Sequence, residues 1–183
     1  MGESLMEAAG SNASRRRPVR AGRPFALPVA AWRWRVMGVL GVLLYAAQDV
    51  AGLRWEWIAQ AQDLDGYKYL TGAGLLSYVG WQWWLFYSRF KRRNLRRLLS
   101  WHQRTGALVP LMFYVHSVEI GYGYLAALSW VFLGNMLVGA ASPLGIRINN
   151  RYYTVSWGVA HVSLAAVTIV LGLFHAYIAV YYM

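Results

Sequence analysis

Cysteine is absent from the chain. Its absence excludes disulfides, iron–sulfur ligation and covalent c-type haem attachment. Acidic residues are scarce, with seven Asp and Glu against eighteen Lys and Arg and a formal net charge of +11. Such an excess raises the question of a nucleic-acid partner. No basic stripe interleaves with stacking aromatics in a polar domain, so no nucleic-acid partner is expected. Instead, the arginines cluster at the edges of apolar runs.

The chain is rich in apolar side chains: 58% of residues are hydrophobic and 16% aromatic. A soluble domain of similar length runs nearer about 45–50% apolar. Met1–Leu27 is polar, Arg-rich and interrupted by Gly10, Pro18, Gly22 and Pro24. It reads as part of a flexible basic cytoplasmic tail, taken to extend over residues 1–35. A cleaved signal peptide fits poorly, because the first long apolar run begins only near Val36.

Five apolar runs follow, at roughly Val36–Trp57, Tyr69–Phe90, Leu98–Ile120, Tyr124–Ala141 and Thr154–Tyr182. Each is long enough for the ~20 residues that cross a hydrocarbon core. They are continuous rather than alternating with period two, so helices are expected and not a barrel. The predicted fold is all-α: a membrane bundle of about five helices over residues 36–183, in contact with the lipid bilayer. With the N-terminus inside, sixteen of the eighteen basic residues lie on the inner side; only Arg54 and Lys68 lie outside. The positive-inside rule then places the C-terminus outside. A bacterial inner membrane is the expected location.

The chain has four histidines, His102, His116, His161 and His175, all within predicted spans. Ionisable residues there are costly and point to function. Both pairs are fourteen residues apart, so each pair shares one helix face with a rise of about 21 Å. The third and fifth spans run parallel. This pairs His102 with His161 toward the inner side and His116 with His175 toward the outer side. Each pair suits the two axial positions of a haem iron, which favours electron transfer over chemistry at an open iron site. Gly106, Gly158 and Gly172 lie a turn from a histidine and offer uncrowded helix surface. Pro110 is expected to kink the third helix. Arg104, near His102, is a candidate to neutralise haem carboxylates. Glu119 lies beyond His116. Asp49 and Arg54 are expected to form an ion pair, the sharper alternative being a proton relay.

The segment LRRLLSWHQRTGALVPLMFYVHS, Leu95–Ser117, resembles the third helix of the ferric reductase-like membrane domain shared by NADPH oxidases and iron reductases. The matching features are Arg96 and Arg97, His102, Arg104, Gly106 and His116, with His161 and His175 two helices further on. The resemblance covers about Tyr69–Tyr182. It implies two stacked b haems and electron flow across the membrane. Gly121-Tyr122-Gly123 is no dinucleotide fingerprint, and no flavin or nicotinamide segment is visible. The expected donor is therefore another subunit of a membrane redox complex, or a quinone. Cytochrome b of quinol-oxidising complexes shares the paired arrangement and stays an alternative. Further alternatives are separate Zn or Cu sites, a proton-relay transporter, and a non-redox structural or pigment-binding subunit of a respiratory or photosynthetic complex.

Overall fold

A computed structural model of the chain describes residues 29–91, 95–146 and 148–182. Eight helices and no strand occur among the described residues: α1 Val29–Val50, α2 Glu56–Gln62, α3 Asp65–Phe90, α4 Leu95–Ala107, α5 Val109–His116, α6 Tyr124–Ala140, α7 Pro143–Ile146 and α8 Arg151–Tyr182. The all-α expectation is met at this level. Of the helices described, α8 alone is both long and apolar enough to cross a membrane. The shorter α6 is a 17-residue apolar helix.

The boundaries differ from the sequence reading in three places. Residues 1–28 of the expected flexible tail lie outside the described residues, but residues 29–35 form the first turns of α1. The first run was expected to continue to Trp57, whereas α1 ends at Val50. Gly52 adopts φ +63, its N–H donates to the Asp49 carbonyl, and the Leu53 N–H donates to the Gln48 carbonyl. Together these bonds form the Schellman closure that a glycine just past a helix makes possible. The third run, expected as one helix to Ile120, is two helices meeting at Leu108 and ending at His116. Pro110 has no N–H to give the Gly106 carbonyl, and its ring crowds that turn. The chain tightens there, with the Leu108 N–H donating to the Thr105 carbonyl. Residues 92–94, between the second and third runs, lie outside the described residues, as does Arg147.

The helices surround a core of Val42, Tyr45, Val109, Phe113, Ile120, Phe132 and Leu133. α8 packs chiefly on α6, with a smaller contact to α3. By contrast, α4 and α5 pack on α1 and α3. The two histidine-bearing stretches therefore rest chiefly on different neighbours, with α3 touching both. Close backbone approach is possible where α1 lacks side chains: a Cβ on Gly38 would lie 3.3 Å from the Ala107 Cα, and one on Gly41 would lie 3.0 Å from Pro110.

Candidate functional site: two facing histidine pairs

The ring centres of His102 and His161 lie 6.0 Å apart with planes at 77°. Those of His116 and His175 lie 6.3 Å apart with planes at 71°. These are the two combinations expected from spacing and topology. A metal held midway between two imidazoles, about 2.0 Å from each nitrogen, leaves the ring centres about 6 Å apart. On α8 the two histidines are separated by four turns, a rise of about 21 Å. Midway between them Thr168 is buried, its hydroxyl donating to the Leu164 carbonyl. Val109, midway between His102 and His116, is 2% exposed.

One helix, α3, orients both histidines of the α4–α5 stretch. His102 Nδ1 donates to the Gln82 side-chain carbonyl. The orientation of that amide is fixed by its other contacts. Its Nε2 reaches Tyr78 Oη at 2.6 Å and Thr105 Oγ1 at 2.7 Å, and Thr105 spends its own hydrogen on the Trp101 carbonyl. Gln82 Nε2 must therefore be the donor to Thr105, and Oε1 must face the imidazole. His116 Nδ1 lies 3.0 Å from Thr71 Oγ1, which donates to the Tyr67 carbonyl at 2.8 Å. The Thr71 oxygen thus accepts from Nδ1–H. In both cases the proton on Nδ1 leaves Nε2 as the lone-pair nitrogen. A second partner of this kind sets the tautomer and ring direction of a metal-ligating histidine.

Helix α6 lies behind the other two. A Cβ on Gly139 would sit 3.0 Å from His161 Cε1. The missing side chain lets the imidazole rest on the helix, close to the Asn135 backbone. His161 Nδ1 is buried without a partner of good hydrogen-bond geometry among the described residues. Trp157 stacks on His161 with ring centres 5.5 Å apart and planes at 13°, its Nε1 donating to the Val138 carbonyl at 2.7 Å. Tyr124 Oη lies 3.5 Å from His175 Nδ1. On α3, Gly72 does for His116 what Gly139 does for His161, with a Cβ there meeting Cε1 at 3.2 Å.

Side chains from neighbouring helices brace the end of α5. Gln62 Nε2 donates to the Tyr114 and Val115 carbonyls at 3.0 and 3.1 Å, and Tyr67 Oη donates to Val115 O at 2.9 Å. The last turn of a helix leaves such carbonyls without intrahelical donors. Meeting that need here also fixes the position of His116.

No family model, curated protein or solved structure matches the chain.

Other candidate residues are placed less centrally. Arg104 is exposed. A Cβ on Gly106 would meet only Tyr78 Oη, at 3.9 Å, and one on Gly158 or Gly172 would meet nothing within 4 Å. The expected Asp49–Arg54 ion pair is replaced by Arg54–Glu119. Asp49 instead accepts the Ile120 N–H at 3.0 Å. The chain reversal at Gly52 carries Arg54 away from the end of α1 and toward the loop after α5. Asp49, Arg54, Glu119, Gln48 and Tyr122 help to line a crevice of about 200 Å3. Sequence reasoning missed Gln82, Thr71, Gly72, Gly139, Tyr124 and Trp157. A stripe at Thr71, Leu75, Tyr78 and Gln82, with spacing four, three, four, was the available signal on α3.

Each histidine pair supplies two donors. Among the described residues no third His, Cys, Asp or Glu joins either pair to make a metal-ligating group. A planar macrocycle would bring four donors of its own, a set that two facing imidazoles fit.

Proposed function

We propose that the chain is a multi-pass membrane protein whose histidine pairs, His102 with His161 and His116 with His175, hold two b-type haems for electron transfer across the bilayer. The observation that carries this reading is the repeated facing of two imidazoles, at 6.0 and 6.3 Å, on two separately supported helical stretches. Bound haem would supply one-electron oxidation and reduction at its iron.

The protein's own contribution is support. Gln82 and Thr71 hold the protons of His102 and His116 on Nδ1. Gly72 and Gly139 give His116 and His161 room against neighbouring helices. The open space beside Gly158 and Gly172, each one turn before a histidine, suits the flat face of a cofactor. Val109, Phe113, Phe132 and Leu133 fill the interior with apolar groups and exclude water.

Several features support the membrane reading. α8 exposes Val155, Val159, Val170, Leu173 and Val180, and α1 exposes Leu43 and Leu44. A water-soluble helix buries such a stripe against its own core. In lipid the exposure costs nothing, and polar groups turn inward. We take the N-terminus as inside and the C-terminus as outside, from the distribution of the basic residues.

The paired histidines and the likeness of Leu95–Ser117 to the ferric reductase-like domain together favour a cytochrome b subunit. We propose that electrons come from, or go to, another subunit or a quinone. Asp49 and Glu119 help to line the crevice beyond the end of α5, on the side of the His116–His175 pair.

The test is expression, extraction from the membrane fraction and a pyridine haemochrome spectrum. Two b haems per chain is the expected result. A folded, colourless protein from haem-replete cells would overturn the reading.

A further inference from the structure

The end of the bundle nearest His102 and His161 holds a buried cation. Arg35, in the second turn of α1, is 9% exposed. Its Nη2 is buried and has no hydrogen-bond partner among the described residues. Ser142, between α6 and α7, is 8% exposed, and its hydroxyl is also buried without a partner there. The two are linked through Gly145. The Gly145 N–H donates to the Ser142 carbonyl at 2.8 Å, and the Arg35 guanidinium occupies the place where a Gly145 Cβ would stand.

Its level in the bundle follows from the helix register. Gly38, one turn after Arg35, lies against Ala107, five residues after His102. Gly145 lies six residues after Gly139, which backs His161. All five acidic residues among those described, Asp49, Glu56, Asp63, Asp65 and Glu119, sit at the opposite end, from the close of α1 to the start of α3 and in the loop after α5.

A guanidinium keeps its charge throughout the physiological range. Burying it without a counter-charge is costly. We propose that Arg35 and Ser142 form a receptor for one oxyanion, bound by the hydroxyl and by the guanidinium fork that the missing Gly145 side chain admits. Carboxylate and phosphate both match that fork. Two sources carry such a group to this end of the bundle: a carboxylate of a cofactor held by His102 and His161, and the phosphate of an anionic phospholipid. The receptor stands on the geometry of Arg35 and does not depend on the haem reading.

The full chain in detergent, as wild type, Arg35→Gln, Gly145→Ala and the exposed control Arg33→Gln, separates these sources. Native mass spectrometry with added phosphatidylglycerol reads the lipid arm, and a redox titration followed by haem absorbance reads the carboxylate arm. In one arm, Arg35→Gln and Gly145→Ala are expected to differ from wild type and from Arg33→Gln. For lipid, retention falls about tenfold to a hundredfold, the loss expected for one charge-assisted bond. For carboxylate, the potential of one haem falls and the other stays, because a nearby cation disfavours the oxidised iron. Wild-type behaviour of Arg35→Gln in both arms would overturn the receptor, as would an equal change in Arg33→Gln. Colourless protein removes the haem reading and leaves the lipid arm to decide on its own.

Discussion

His116 and His175 face each other across the bundle with ring centres 6.3 Å apart, although 59 residues separate them in the chain. His116 is fixed from outside by Thr71 and Gly72 on α3, and His175 by Tyr124 on α6. A His116→Leu substitution removes one imidazole and leaves the His102–His161 pair untouched. On the proposed dihaem reading, one haem of the two is expected to be lost, as counted by pyridine haemochrome. Retention of both would contradict the pairing.

Gln82 and Thr71 act on different pairs. Gln82→Leu removes the acceptor for His102, and Thr71→Val removes that for His116. Partners of this type contribute about 10- to 100-fold to metal-site affinity. If the proposed haems are bound, each variant is expected to speed the loss of one to an excess of apo-myoglobin while the second dissociates at its usual rate. Equal loss from both sites in either variant would count against separate support.

Gly158 separates the cofactor reading from its absence. A Cβ there meets nothing in the protein. With no cofactor, Gly158→Ala stabilises α8 by about 1 kcal/mol, since alanine favours the helix. With a flat group lying against that face, the methyl crowds it, and haem occupancy falls while the thermal midpoint of haem-free protein rises. Gly139→Ala behaves differently, because its Cβ would press on His161 at 3.0 Å. It is expected to cost about 1–3 kcal/mol by overpacking. Thermal unfolding followed by tryptophan fluorescence measures both.

The Arg54–Glu119 pair is about half exposed on both sides. Exposed pairs contribute about 0–1 kcal/mol. Glu119→Gln is expected to move the thermal midpoint little, and less still at high salt. Asp49→Ala leaves the Ile120 N–H without its acceptor. An orphaned donor costs about 1–3 kcal/mol, so this variant is expected to be clearly the less stable of the two. The reverse order would show that Asp49 does not brace the loop.

The reading of the histidines and the reading of their surroundings depend on different ranges of the chain. On α8 the fourteen-residue spacing is a property of one helix, and helical periodicity converts it directly into a shared face; between His102 and His116 the break at Leu108 leaves that to packing. The basic residues at the span edges and the apolar length of α8 are equally local, as is the missing N–H of Pro110, which ends α4. None of these needs a neighbour to be understood.

Partnership across helices is another matter. Arg54 lies five residues from Asp49, yet a glycine-closed helix end turns the chain and brings it to Glu119, 65 residues on. Gly72 and Gly139 are ordinary glycines in sequence; only packing shows that each makes room for an imidazole. Gln82 becomes significant because the amide's two hydrogens are taken by Tyr78 and Thr105, leaving its oxygen for His102. Arg35 looks like one more topological arginine until the turn at Gly145 covers it. Short-range periodicity thus set the helical class, the shared face of His161 and His175 on α8 and the chemistry of the donors. Tertiary structure decided the bond orienting each ring, the true ion pair and the buried cation, because those outcomes depend on side chains that meet only when the bundle closes.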